Sequence, residues 1–147
     1  MMQSFLKECK IVSVEDSVAA GKATTVGEIV DTAGFDAACF IYKLGTVVDG
    51  AAVTLKIYQG TDSSVSDVAE ISGASAAIAV TASDSEQQLV VDIVKPRERW
   101  LRPTIVTATQ NVEIDWGVCI LYNSDIKPIA QPDTIDASAL VISPAEE

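Results

Sequence analysis

The chain has 147 residues, 48% hydrophobic but only 5% aromatic, and its 21 acidic against 10 basic side chains give a formal charge of −11. That length fits one domain with a sizeable core, which Val, Ile, Leu and Ala must fill, a composition suited to stacked sheets. The acidic balance argues against nucleic acid as a direct partner, no apolar run approaches the roughly 18–20 residues of a membrane-spanning helix, and the absence of histidine removes the commonest general base and metal ligand at neutral pH.

The opening MMQSFLKECKIVS carries no apolar core of signal-peptide length, which argues against secretion. Cys9, Cys39 and Cys119 are odd in number and far apart; they fit buried free thiols made in a reducing cytoplasm, not a disulfide framework. Cys9–Val14 is expected to be an edge strand. EDSVAAGKATTVG reads as a mobile connection. Gly34 in DTAGFD is placed for a turn with positive φ.

Ala37–Leu44 is almost continuously apolar and is expected as a central strand covered on both sides. Asp49-Gly50 is a turn dipeptide. In the next run Ala51, Val53, Leu55 and Ile57 alternate with Ala52, Thr54, Lys56 and Tyr58, the mark of a half-buried strand. Gly60–Gly73 is a polar excursion with Asp62, Asp67 and Glu70, and Ala76–Ala82 is a weak strand leading to the turn SDSEQ. Leu89–Val94 and Thr104–Ala108 are strands flanking KPRERWLRP. In NVEIDWGVCILYN, Val112, Ile114, Trp116, Val118, Ile120 and Tyr122 alternate, so Trp116 is expected in the core. Beyond Lys127-Pro128 the Pro-punctuated tail reads as an extended arm with an apolar island, Ala139–Ile142.

About eight short strands with turn signals between them predict an all-β fold, an antiparallel, jelly-roll-like β-sandwich. An N-terminal strand and arm would occupy 1–25, the sandwich 26–124 and an extended C-terminal arm 125–147.

No pattern announces an enzyme. A nucleophile would lack a histidine partner and no GxSxG elbow is present. Asp92, Glu113 and Asp115 could share a sheet face as an acid pair, but solvated strand charges explain them. Asp62–Glu70 lacks EF-hand spacing, so no metal or other cofactor is expected.

KPRERWLRP is the exception. It holds all three arginines (Arg97, Arg99, Arg102), Trp100 and two of the five prolines. As structure it would be a crossover bent by Pro96 and Pro103, with Glu98 paired to an arginine. As function it would be a docking patch, because Arg and Trp are enriched at interface hot spots. Lys95, Arg97, Arg99, Trp100 and Arg102 are the candidate partner-binding residues. Leu140 and Ile142 of the arm join them, because extended apolar arms add strands to neighbouring chains.

Three blocks carry a resemblance: GEIVDTAGFDAACFIYKLGTVVDGAAVTLKIYQGTDSS, then KPRERWLRPTIVTATQNVEIDWGVCILYN, then LVISPAEE. Together they resemble small virion proteins of tailed bacteriophages and prophages, the capsid decoration or cement proteins. In the middle block the resembling features are Pro96, Arg97 to Trp100, Arg102-Pro103, Thr109-Gln110-Asn111 and Ile114-Asp115. The chain departs from the pattern after Tyr122, where NSDIKP stands in place of a basic, Gly-containing turn. The resemblance implies binding to the major capsid protein on the outer surface of an expanded shell, with synthesis in the host cytoplasm. It also implies a homo-oligomer, a dimer or trimer suited to a shell axis. A low-copy neck, tail or fibre-base component is the rival within the virion. A carbohydrate-binding module stacking sugars on Trp100, Trp116 or Tyr122 is the rival of another class.

Overall fold

The structure, a computed structural model, describes residues 3–79, 81 and 84–143. Among these residues, one short helix, α1 (Phe5–Glu8), precedes ten strands: β1 (Lys10–Glu15), β2 (Val18–Gly21), β3 (Thr24–Val26), β4 (Val30–Asp31), β5 (Phe35–Val47), β6 (Ala52–Gly60), β7 (Ala69–Ala79), β8 (Gln88–Val94), β9 (Trp100–Ala108) and β10 (Val112–Ser124). One antiparallel sheet runs β1-β10-β5-β8, with β2 also on β10, and the other runs β3-β9-β6-β7, with β4 also on β9. Apart from the β6–β7 hairpin, neighbouring strands of each sheet are not consecutive in the chain, the interleaving of a jelly roll. The all-β sandwich expected from the strand spacing is the fold observed.

The core forms where alternating side chains of the two sheets meet. Ala51, Val53, Leu55 and Ile57 are all fully buried, as their alternation predicted. From the first sheet Phe40, Tyr42, Leu44, Ile114 and Leu121 meet them, with Leu101 and Ile105 of β9 from the second. β5 is central, but its outer-face residues Cys39, Ile41 and Lys43 remain half-exposed. It is therefore covered on one side and not two.

β10 departs from its expected alternation. Ile114 pairs with Leu44 and Trp116 with Lys43, so Asp115 is an extra residue that no residue of β5 opposes. Such a bulge inverts the side-chain parity beyond it. Gly117, Cys119 and Leu121 turn inward, and Trp116 turns outward with 37% of its surface exposed. Gly45 makes room for the bulge, because a Cβ there would stand 2.7 Å from Asp115 Oδ1.

Other segments differ as well. The connection expected after Glu15 instead supplies β2 and β3, which pair with β10 and β9. β7 begins at Ala69, inside the expected polar excursion. Its pairing with β6 jumps from Tyr58↔Glu70 to Lys56↔Ser75, a wide bulge that Gly73 permits with φ +82°. Pro103 lies inside β9 and not at a bend. Its carbonyl accepts from Gly27 N–H at 2.9 Å, so its missing donor faces the gap between β3 and β4 and breaks no ladder bond. The expected ends at Val80 and Ala82, Ser83 of the SDSEQ turn, and Pro144–Glu147 of the last resembling block lie outside the described residues.

Tyr42 marks the tightest point. A Cβ on Gly117 would stand 2.8 Å from its ring, and one on Gly27 would stand 2.7 Å from its hydroxyl and 2.8 Å from Pro103 Cγ. The hydroxyl is buried without a hydrogen-bond partner, and burial, ahead of the Glu15 charge, drives its pKa upward. Gly27→Ala and Gly117→Ala should each cost about 1–3 kcal/mol by overpacking. Tyr42→Phe should leave the melting temperature unchanged or raised, since it deletes an unpaired buried group. Tyr42→Phe/Gly27→Ala should lose less than the two single effects summed. Thermal unfolding followed by circular dichroism checks all three.

Candidate docking site

The cationic element is built where β8 leaves one sheet and β9 enters the other. Lys95 reverses the chain with φ +54°, a left-handed conformation that costs a non-glycine residue about 1–2 kcal/mol. Its N–H donates to Asp36 O at 2.7 Å, holding the reversal to the start of β5. Pro96 follows, and the side chains of Lys95 and Arg97 are exposed.

Arg99 is fixed in place. Its Nε and an Nη donate to the two oxygens of Asp31 at 2.7 and 2.8 Å, the bidentate geometry that guanidinium and carboxylate favour. The guanidinium also lies 4.8 Å from the centre of the Trp100 ring, within cation–π range. The main chain repeats the clasp, because Thr32 donates from N–H and Oγ to Arg99 O at 2.9 and 2.6 Å. Arg99 holds the Asp31 carboxyl below the usual range, with the Ala33 N–H adding to the effect against partial burial. The expected partner of an arginine was Glu98; the observed one is Asp31, the last residue of β4, paired with Trp100 of β9.

Arg102 stands directly opposite Tyr58 on β6, with its guanidinium 5.8 Å from the ring centre. Two cation–aromatic pairs, Arg99–Trp100 and Arg102–Tyr58, thus form one band on the outer face of β9 and β6, with Lys95 and Arg97 preceding it in the turn. Sequence reasoning missed Asp31 and Tyr58. Tyr58 was visible as the outward member of an alternating strand, whereas Asp31 lies 68 residues from Arg99 and carried no signal of its role.

The C-terminal arm is clasped at its base. Gln131 Nε2 donates to Leu6 O at 3.0 Å and Cys9 O at 2.6 Å, while its Oε1 accepts from Ile11 N–H at 3.0 Å. Ile129 N–H donates to Lys7 O at 2.9 Å, and Lys127 Nζ meets Glu8 at 2.8 Å. Beyond this clasp the described residues of the arm join no strand. Leu140 lines a hollow of about 390 Å³ with Leu6, Lys7 and Ile129, while Val141 and Ile142 are 75% and 89% exposed. Arg99, Trp100 and Arg102 thus sit together with Asp31 and Tyr58, Lys95 and Arg97 precede them as exposed residues of the turn, and on the arm Leu140 rests beside α1 while Ile142 is exposed.

Four of the other acids have structural partners. Asp62 accepts from Ser64 and Ser66, and Asp67 from Thr61, so both brace their own loop. Both oxygens of Asp92 accept from Tyr122 O–H, at 2.7 and 2.8 Å. This bond, aided by burial, pushes the phenol up to about 12. Asp115 shares Lys43 with Glu86. Burial raises all three thiols.

No family model matches the chain, and no curated protein matches it. Among solved structures, a chain in the structure of infectious bursal disease virus, Gx strain, aligns over 82% of this chain with a TM-score of 0.50 and 14% identity. The likeness is one of fold. This chain spans about a third of that virus chain, 34% of its length. A Bacillus endospore appendage subunit, from a family of disulfide-linked pili, aligns at TM-score 0.46 and 12% identity, over 83% of this chain and 96% of its own. A carbohydrate-binding module from a Cellvibrio mixtus lichenase, in complex with cellotriose, aligns at 0.34 and 11%, over 77% and 96%.

The clasp generates a pH prediction. Bonding to Lys127, then to the Ser4 and Gln3 N–H groups, lowers the Glu8 carboxyl to about 2. A carboxyl depressed on folding stabilises above its unfolded value of about 4.5 and ceases to do so as pH falls through its folded value. The base of the arm should therefore loosen between about pH 4.5 and pH 2. Amide exchange at Ile129 and Ile11 should rise across that window, and Glu8→Gln should show the raised exchange already at pH 7.

Proposed function

We propose that the chain is a structural protein of a tailed-phage virion, a decoration or cement protein that binds the outside of the capsid shell through the β8–β9 turn. The observation that carries this reading is the cation–aromatic band on an otherwise acidic chain. Arg99 is oriented in advance by Asp31, Thr32 and Trp100, so little side-chain freedom is lost on docking. The resembling middle block is the segment that builds this band. A jelly-roll sandwich also occurs in the infectious bursal disease virus structure, which suits the reading without specifying it. The partner on this reading is the major capsid protein, and no catalytic step is assigned. Many copies, each contributing modest energy, would stiffen a shell against internal pressure.

A carbohydrate-binding role receives less support from the aromatic side chains. Trp116 is exposed, contrary to the sequence expectation, but it lies on the outer face of the β5 sheet. Trp100 lies on the outer face of the other sheet, beneath Arg99, and Tyr122 is bonded to Asp92. The three do not make one stacking platform.

Lys95→Glu/Arg97→Glu is the discriminating variant, because both side chains are exposed and neither Asp31 nor Tyr58 is disturbed. Its melting temperature should match the native chain, while its occupancy on purified particles, read by gel densitometry against the major capsid protein, should fall at least about tenfold, equivalent to about 1.4 kcal/mol per contact set. Undiminished occupancy would remove the turn from the interface. Native copy number settles the rival within the virion: on the order of one per capsid subunit or small group of subunits fits decoration, and about a dozen fits a neck or tail.

A further inference from the structure

β8 is the open edge of its sheet, since β5 is its only partner among the described strands. Its hydrogen-bonding direction is fixed at both ends. Gln87 O accepts from Leu44 N–H at 2.9 Å and Lys95 N–H donates to Asp36 O at 2.7 Å, so the odd-numbered residues between them address β5. The N–H and C=O groups of Val90, Asp92 and Val94 consequently face away from the sheet. Their side chains are exposed too, Val90 at 51% and Val94 at 60%. Beside this edge runs a groove of about 430 Å³, walled by Ile71–Ser75 of the β7 bulge and by Val90–Val94.

An open edge of this length without proline or lysine is a template for an added strand. The same chain carries a segment that suits it. Residues 137–143, Ala-Ser-Ala-Leu-Val-Ile-Ser, contain no charge and belong to no helix or strand, and Leu140, Val141 and Ile142 are at least half exposed. We propose that this arm of one copy pairs as an added strand with the β8 edge of a second copy, its apolar side chains entering the groove beside β7.

Charge selects the occupant. Each copy carries a formal −11, so most face-to-face contacts between copies oppose carboxylates. The arm brings none, and the one acid on the receiving edge, Asp92, is already bonded to Tyr122. Placement makes the exchange intermolecular. Gln131 clasps the arm to β1, at the opposite edge of the sheet from β8, and the arm's own Leu140 rests beside Leu6 and Lys7. Donor and acceptor at opposite edges make a head-to-tail contact, which closes into a ring when its rotation permits. This contact is independent of any shell.

Sedimentation equilibrium of the full chain at tens of micromolar should give a multiple of the 15.5 kDa monomer mass. Leu140→Asp/Ile142→Asp should sediment as monomer with an unchanged circular dichroism spectrum. Val90→Pro should do the same, since the N–H it deletes faces the open edge. Mixing these two variants should restore a two-copy species, because one retains the edge and the other the arm. If Val90→Pro fails to fold, an excess of a peptide of residues 137–143 should dissociate the native oligomer instead. A native chain at 15.5 kDa, or an oligomer indifferent to both the arm variant and the peptide, would overturn the proposal.

Discussion

The fit of Tyr42 between two glycines is the constraint on which the rest depends. Its ring rises from the middle of β5, lies over Gly117 on β10, and reaches the link between β3 and β4 at Gly27. That link is fastened on both sides, Gly27 N–H to Pro103 O and Glu28 N–H to Val14 O. β4 and β9 are thereby set against each other, and with them Asp31 and Trp100. The cationic band inherits its position from an apolar contact in the core, because Arg99 could not meet Asp31 unless the two strands were held in this register.

The legible part of the fold was the part written in local alternation. Val53, Leu55 and Ile57 announced both their strand and their buried face, and Asp49-Gly50 and Gly34 marked turns that the structure makes with φ +89° at Gly50 and +87° at Gly34. Features decided by contacts between distant segments were not legible. Asp115 looks like an ordinary outward residue of β10, yet it is unopposed because Gly45, far back in the chain, leaves room for it. One extra residue reversed the facing of Trp116 and everything after it. β2 and β3 were hidden for a related reason: the Ala and Gly of β2 have weak strand preference alone, β3 is only three residues long, and both pair because β10 and β9 offer edges. The arginine turn was visible as a cluster of residue types, but the choice of Asp31 over the neighbouring Glu98 follows from strand pairing.

The two outer sheet faces differ in character. On the β5 sheet, Val118, Ile41 and Val90 stand in one cross-strand row, with Ile11, Ile120 and Cys39 in the next. On the β6 sheet the outward row is Lys56 and Thr104, then Tyr58 and Arg102. Antiparallel sheets ordinarily keep an outer face polar, so the apolar rows on the β5 sheet are the less common arrangement. The first row reaches the β8 edge at Val90 and the second meets Asp92 there, so a strand added beside Val90 would extend an apolar row already three strands wide.

The placement of the two tryptophans has a spectroscopic consequence. Trp100 lies at the arginine turn under a guanidinium, and Trp116 lies six residues before Tyr122 on β10, about 20 Å along the strand from that end, on the opposite outer face. No other indole is present. Intrinsic fluorescence of the unlabelled chain thus contains two well-separated emitters in different surroundings, one per sheet. Replacing either with phenylalanine leaves a single optical reporter of its own end, and selective quenching then reads which face of the sandwich a partner covers.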